Sequence, residues 1–164
     1  MSIYIFSGPI HSGKTTELLV WCNQQKSISG ILMPDINGHR KILDIDTKEI
    51  LDIECVDPLN TKQPLTSIGK FHFYRSIFEK SNSILLDALN QTPDWLVIDE
   101  VGKLELKSEG FYRSVAAAVK LYGSKNKKGN LLITVRDSLL EEVVSFFNIK
   151  KLMNIILMII FIFQ

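Results

Sequence analysis

The chain has 164 residues, enough for a single hydrophobic core of ordinary size. Hydrophobic residues make up 46% and charged residues 23%, both near globular averages, and a formal net charge of +1 excludes a global field that attracts nucleic acid or acidic membranes. Cys22 and Cys55 have no CxxC partner or histidine at metal spacing, and the N-terminus lacks a charged-then-apolar signal region. They read as reduced thiols in a reducing compartment, and the expected location is cytoplasmic.

Ile3-Tyr4-Ile5-Phe6 is an apolar run expected to form a buried strand, and it leads directly into Gly8-Pro9-Ile10-His11-Ser12-Gly13-Lys14-Thr15. This is G-x-x-x-x-G-K-[ST] between a strand and a helical pattern, the context that a phosphate-binding loop needs. The glycines let successive backbone N–H groups converge on phosphate oxygens, and the following helix adds its positive end. Gly8, Pro9, Ile10, His11, Ser12, Gly13, Lys14, Thr15 and Thr16 are the candidate nucleotide-binding residues. Lys14 reaches the β- and γ-phosphates in this reading, and the Thr15 hydroxyl joins the coordination of Mg²⁺. His11 occupies a variable position that contributes mainly backbone.

A helix is expected from Thr15 to about Ser27, with Leu18, Leu19 and Cys22 on its apolar face. Gly30 to Met33 is a short strand candidate. From about 34 to 55 the period falls to two, with turns at Asn37-Gly38 and Asp46-Thr47-Lys48, which predicts a small antiparallel meander. Arg40 on it can face nucleotide or partner, though a solvated hairpin arginine is the plainer reading. Phe73 to about Gln91 has helical spacing at Ile77, Ser81, Leu85, Ala88 and Leu89.

Trp95-Leu96-Val97-Ile98 is a second continuous apolar run, the pattern of a strand covered on both faces, and it ends in Asp99-Glu100. In an open α/β sheet ligands sit beyond the carboxyl ends of the strands, so both carboxylates belong beside the phosphates. Asp99 is the candidate Walker B acid for Mg²⁺, and Glu100 the group that orients or deprotonates an attacking water. Ser108 reads as the N-cap of a helix to about Tyr122, closed by Gly123. The basic loop Gly123–Asn130 has no aromatic platform and reads as a solvated turn, so no strong nucleic-acid signal is present. Trp21 and Trp95 read as core residues.

Leu131 to Val135 is the third buried strand, followed by Arg136 and a helix from Asp137 or Ser138 through Phe147. Arg136 has two readings, a cis arginine that offsets γ-phosphate charge or a surface arginine paired with Asp137 or a neighbouring glutamate. Ile155 to Phe163 is a run of nine apolar residues, too short to span a bilayer, where roughly twenty are needed. It reads as a buried last strand, with a membrane-surface or oligomer contact as the alternative. The expected whole is a single α/β domain over residues 1–164, three layers around a mostly parallel sheet, with the meander inserted and an atypical tail from 152.

Gly8–Thr16 and Val97-Ile98-Asp99-Glu100-Val101-Gly102-Lys103-Leu104-Glu105-Leu106 together resemble the THEP-type nucleoside-triphosphatases, whose signature is close to V-I-D-E-I-G-K-M-E-L. Ile68-Gly69-Lys70-Phe71 is similar to the G-K-Y segment that precedes that signature. The resemblance covers roughly residues 2 to 147. It implies a RecA-like P-loop domain that hydrolyses ATP, GTP and other nucleoside triphosphates with little base preference.

The expected activity is therefore Mg²⁺-dependent hydrolysis of nucleoside triphosphates, with Lys14, Glu100 and Arg136 as catalytic candidates and Thr15 and Asp99 as metal candidates. Lys103 and Glu105 either shape the side from which water attacks or form an internal salt bridge. A P-loop kinase is the rival enzyme, but it needs an acceptor pocket and usually an arginine-rich lid. A nucleotide-gated binding module is the third reading, and it has no need of Glu100 beside Asp99. No base-reading pocket is apparent in the sequence.

Overall fold

Apolar residues on the central strands of one mostly parallel sheet point alternately to its two faces, so these strands bury side chains on both. The computed structural model describes residues 2–9, 12–124, 128–149 and the backbone of 152–154. In chain order the elements are β1 (Ile3–Gly8), α1 (Lys14–Cys22), β2 (Ile28–Leu32), β3 (Asp35–Ile36), β4 (His39–Asp44) and β5 (Ile50–Asp52). They continue with β6 (Leu65–Ile68), β7 (Phe71–Tyr74), α2 (Arg75–Gln91), β8 (Trp95–Val101), α3 (Tyr112–Tyr122), β9 (Asn130–Arg136), α4 (Leu140–Phe146) and β10 (Leu152–Asn154). One-turn 3₁₀ helices fill Glu105–Lys107 and Asp137–Leu139.

The main sheet runs β10-β1-β9-β8-β2-β4-β3, with β5 on β4. Its β10, β1, β9, β8 and β2 pairings are parallel, and β4 joins β2 antiparallel, so the meander extends the sheet edge. One face packs Phe6, Leu32, Val97 and Leu132 against Leu18, Trp21 and Cys22 of α1. The other packs Ile5, Ile31, Ile98 and Ile133 against Phe78 and Leu85 of α2 and Val115 of α3. This is the expected α/β architecture of three layers. Trp21 is buried and meets the half-buried Trp95 edge-on, with ring centroids 5.0 Å apart.

Gly30 lets β2 and β8 lie this close. Its φ is +127°, and a Cβ there would stand 2.0 Å from the Val97 carbonyl oxygen, an approach open only to a residue without a side chain.

Four local expectations are corrected. Helix α1 ends at Cys22 rather than Ser27, because Gln24 and Gln25 N–H groups bond back to Trp21 and Cys22 carbonyls in a tightened last turn. Phe73 is in β7, paired with Thr66 of β6, and α2 starts only at Arg75. Ser108 does not cap α3: it has φ +60° at the end of the preceding 3₁₀ turn, and α3 begins at Tyr112. At the start of α3 the Phe111 N–H is met by the Glu105 carboxylate, the Tyr112 N–H by the Glu109 carbonyl and the Ser114 N–H by Asn82. Asp137–Leu139 forms a 3₁₀ turn before α4, whose α-helical span starts at Leu140. Cys22 and Cys55 are buried free thiols, and burial pushes the Cys22 thiol up to about 12. Among the described residues no helix is long and apolar enough to cross a membrane. The apolar run 155–163 and the loop positions 125–127 lie outside the described residues.

Candidate functional site

Parallel pairing brings the carboxyl ends of β1, β9 and β8 to one edge of the sheet. At those ends lie the glycine loop, which follows β1, Arg136, which closes β9, and Asp99-Glu100 in the last residues of β8. Gly13 is the N-cap of α1 with φ +84°, which turns the chain from the loop into the helix. The first intrahelical bond runs from Glu17 N–H to the Gly13 carbonyl at 3.0 Å, so the N–H groups of Lys14, Thr15 and Thr16 are left for a ligand. Lys14 is buried, and its ammonium donates to the Gly8 carbonyl at 2.9 Å and the Pro9 carbonyl at 2.7 Å. Ile10 and His11 lie outside the described residues.

Side-chain alternation places Asp99 on the α1 face of the sheet, two residues beyond Val97. Its carboxylate accepts the Thr15 hydroxyl at 2.9 Å and the Met33 N–H at 3.0 Å on one oxygen, and the Thr134 hydroxyl on the other. Strand β9 lies between β1 and β8, so Thr134 comes from the strand that separates the two motifs. Burial pushes the Asp99 carboxyl above the usual carboxylate range; the three hydrogen bonds oppose this and the charge of Glu100 adds to it. A hydroxyl and a carboxylate oxygen thus meet beside the loop, the hard-oxygen pair that suits Mg²⁺. Among the described residues no cluster of three His, Cys, Asp or Glu forms a self-contained metal cage. Two protein oxygens fit an ion that keeps several waters and shares substrate phosphates.

Arg136 donates from Nε to Glu100 Oε1 at 2.6 Å. Of the two readings of this arginine, the ion pair with a neighbouring glutamate is the contact present, and its partner is the candidate base. Among the described residues Glu105 makes no salt bridge. It is buried, accepts the N–H groups of Gly102 at 2.7 Å and Phe111 at 2.8 Å, and is pushed by burial up to about 7. It thereby fixes the backbone directly after Glu100. Lys103 is exposed.

A cleft of about 540 Å³ lies between the glycine loop and the meander, walled by Ser12–Thr16, Pro34, Ile36 and Leu43 and reaching Glu100 and Arg136. A second cavity of about 350 Å³ lies beyond that ion pair, between the β6–β7 hairpin and Gly102–Glu105. Arg40, Glu100 and Arg136 line both. Arg40 is therefore half-buried between two cavities, not a solvated hairpin arginine. Sequence reasoning missed Thr134 and the second cavity; a threonine inside an otherwise apolar strand, four residues from its start, is the only signal that pointed to the first.

A family model described as NTPase matches residues 3–157. The crystal structure of THEP1 from the hyperthermophile Aquifex aeolicus superposes with a TM-score of 0.71, covering 94% of this chain and 88% of that one. The two share 19% sequence identity, a level at which the likeness concerns the fold. No curated protein matches the chain.

Proposed function

Because the chain belongs to the THEP-type NTPase family, matched over residues 3–157, we propose that it hydrolyses nucleoside triphosphates to diphosphate and phosphate by water attack on the γ-phosphorus. The family carries nucleoside-triphosphate hydrolysis in general. The observation that supports the specific reading is the Thr15–Asp99 hydrogen bond of 2.9 Å, which joins loop and acid across 84 residues of sequence, with Glu100 next in chain.

In this proposal the triphosphate lies along Gly8–Thr16, with the α1 N–H groups of Lys14, Thr15 and Thr16 turned to its oxygens. Lys14 exchanges its Gly8 and Pro9 carbonyls for β- and γ-phosphate oxygens and offsets charge on the bridge between them. Thr15 and Asp99 would hold Mg²⁺, which neutralises phosphate charge when bound. Thr134 and the Met33 N–H keep the Asp99 carboxylate turned toward Thr15. Glu100 aligns the water for in-line attack and takes its proton. Arg136 holds Glu100 through Nε–H, and its two terminal nitrogens offer further N–H groups toward the γ-phosphate.

Phosphate release from the purified chain with Mg²⁺ and ATP, GTP, CTP and UTP in turn tests the reading, with Lys14→Ala as control. Turnover of several nucleotides that disappears in the variant is expected. Tight nucleotide binding with no phosphate release would overturn hydrolysis and favour the kinase or the nucleotide-gated module.

A further inference from the structure

Two segments singled out in the sequence have no part in the hydrolytic scheme: Ile68–Phe71 and Gly102–Glu105. The fold brings them face to face. The first is the tip of the β6–β7 hairpin, with Gly69 at φ +57°, and the second leaves β8 directly after Val101. Both line the cavity of about 350 Å³.

Four phenylalanines line that cavity, beside Met33, Leu104 and Leu139. Phe71, Phe73, Phe78 and Phe111 form a chain of rings with successive centroids 6.2, 6.0 and 5.0 Å apart. Such rings offer faces and edges to another flat ring. Its rim is basic. Arg40, Lys70, Lys103 and Arg136 stand against Glu100 and Glu105. The two acids are already committed, Glu100 to Arg136 and Glu105 to two backbone N–H groups. Among the described residues Arg40, Lys70 and Lys103 have no ion-pair partner. Lys70 instead lies over the Phe71 ring at 5.3 Å from its centroid. The volume falls at the small end of ordinary ligand pockets, which run from about 300 to 1,000 Å³.

We propose that this cavity is a second small-molecule site, for a compound with a flat aromatic body and one anionic group, separated from the nucleotide cleft by the Glu100–Arg136 pair. The ring enters among the phenylalanines, and the anion meets Arg40, Lys70 and Lys103. That the neighbouring cleft holds a nucleotide rests on the function proposed above; the aromatic site does not.

The test titrates the whole chain with 2-naphthoate, 2-naphthyl phosphate and the uncharged 2-naphthylmethanol by calorimetry. It is done with the glycine loop filled by Mg²⁺ and β,γ-imido-ATP, whose own binding is measured first. At least one anion is expected to bind with Kd below about 1 mM, and the alcohol about tenfold more weakly. The pair of anions distinguishes a carboxylate from a phosphate ligand. Lys70→Glu, an exposed change that keeps the fold, should weaken the anion about tenfold and Phe71→Leu should weaken it further, both with imido-ATP affinity unchanged. Absence of binding by either anion at about 5 mM overturns the proposal. So does binding that vanishes when the loop is filled, or that neither variant alters. Should imido-ATP itself fail to bind, the nucleotide reading falls while the naphthoate titration still decides the cavity.

Discussion

Replacing Arg136 by Ala, Glu100 by Gln, and both together separates an arginine that acts through the carboxylate from one that acts on phosphate. The bond between them is 2.6 Å, and the side chains are 34% and 19% exposed. A hydrogen bond to a charged group contributes about 1.5–3 kcal/mol, and this exposure places the pair near the lower figure. Loss of that restraint on Glu100 corresponds to a roughly tenfold fall in kcat for Arg136→Ala. Glu100→Gln removes the base itself and should cost about 10²–10⁴ in kcat with nucleotide affinity retained. If Arg136 works only by holding Glu100, adding Arg136→Ala to Glu100→Gln changes kcat by less than about threefold, because the two residues form one unit. Single-turnover phosphate release at saturating nucleotide reads the cycle directly. A further loss of about 10³-fold in the double variant would refute the positioning role and indicate direct contact with the γ-phosphate. Full activity in Arg136→Ala would refute both roles.

Gly30→Ala should cost at least about 4 kcal/mol, since its Cβ would meet the Val97 backbone oxygen at 2.0 Å with φ at +127°. Thermal unfolding should drop by about 10 °C or more, whereas Gly102→Ala, whose Cβ meets only Leu139 at 3.9 Å, should unfold nearly as the unaltered chain does; similar melting of the two variants would refute the close approach of β2 to β8. Glu105 titrates from an ordinary 4.5 up to about 7 in the fold, so the folded state binds its proton more tightly than the unfolded chain. Its contribution to stability is present below about pH 4.5 and is lost by about pH 7, worth roughly 3 kcal/mol over that window. Urea unfolding of Glu105→Gln beside the unaltered chain should show the difference moving in the variant's favour by about that amount as pH rises; a difference independent of pH would refute the buried titration.

What was legible in the sequence was local and chemically restricted. Gly8 to Thr15 announces itself because a phosphate loop needs glycine, lysine and hydroxyl at fixed spacing, and Val97–Glu100 because a doubly covered strand is apolar until it reaches the carboxyl-end edge where ligands sit. Asn37-Gly38 marks the turn between β3 and β4 for a similar reason, since both residues adopt positive φ there. The β6–β7 hairpin was hidden because Phe73 and Ile77 stand four apart, and helical spacing extends backwards through a strand without a breaker. Only the pairing of Phe73 with Thr66 distinguishes the two, and pairing is not a local property.

The same distinction governs the site. Ser108-Glu109 has the local composition of a helix start, yet the Phe111 N–H just ahead of α3 is claimed by Glu105, whose side chain folds across the intervening turn. Local propensity lost to a buried carboxylate that needed donors more than the helix needed a serine. Arg136 and Glu100 are each plausible alone as catalytic side chains, but their 2.6 Å contact arises from the adjacency of β8 and β9, which no spacing within either segment encodes. Spacing identifies the groups that can touch a phosphate; the order of strands decides which of them must act through one another.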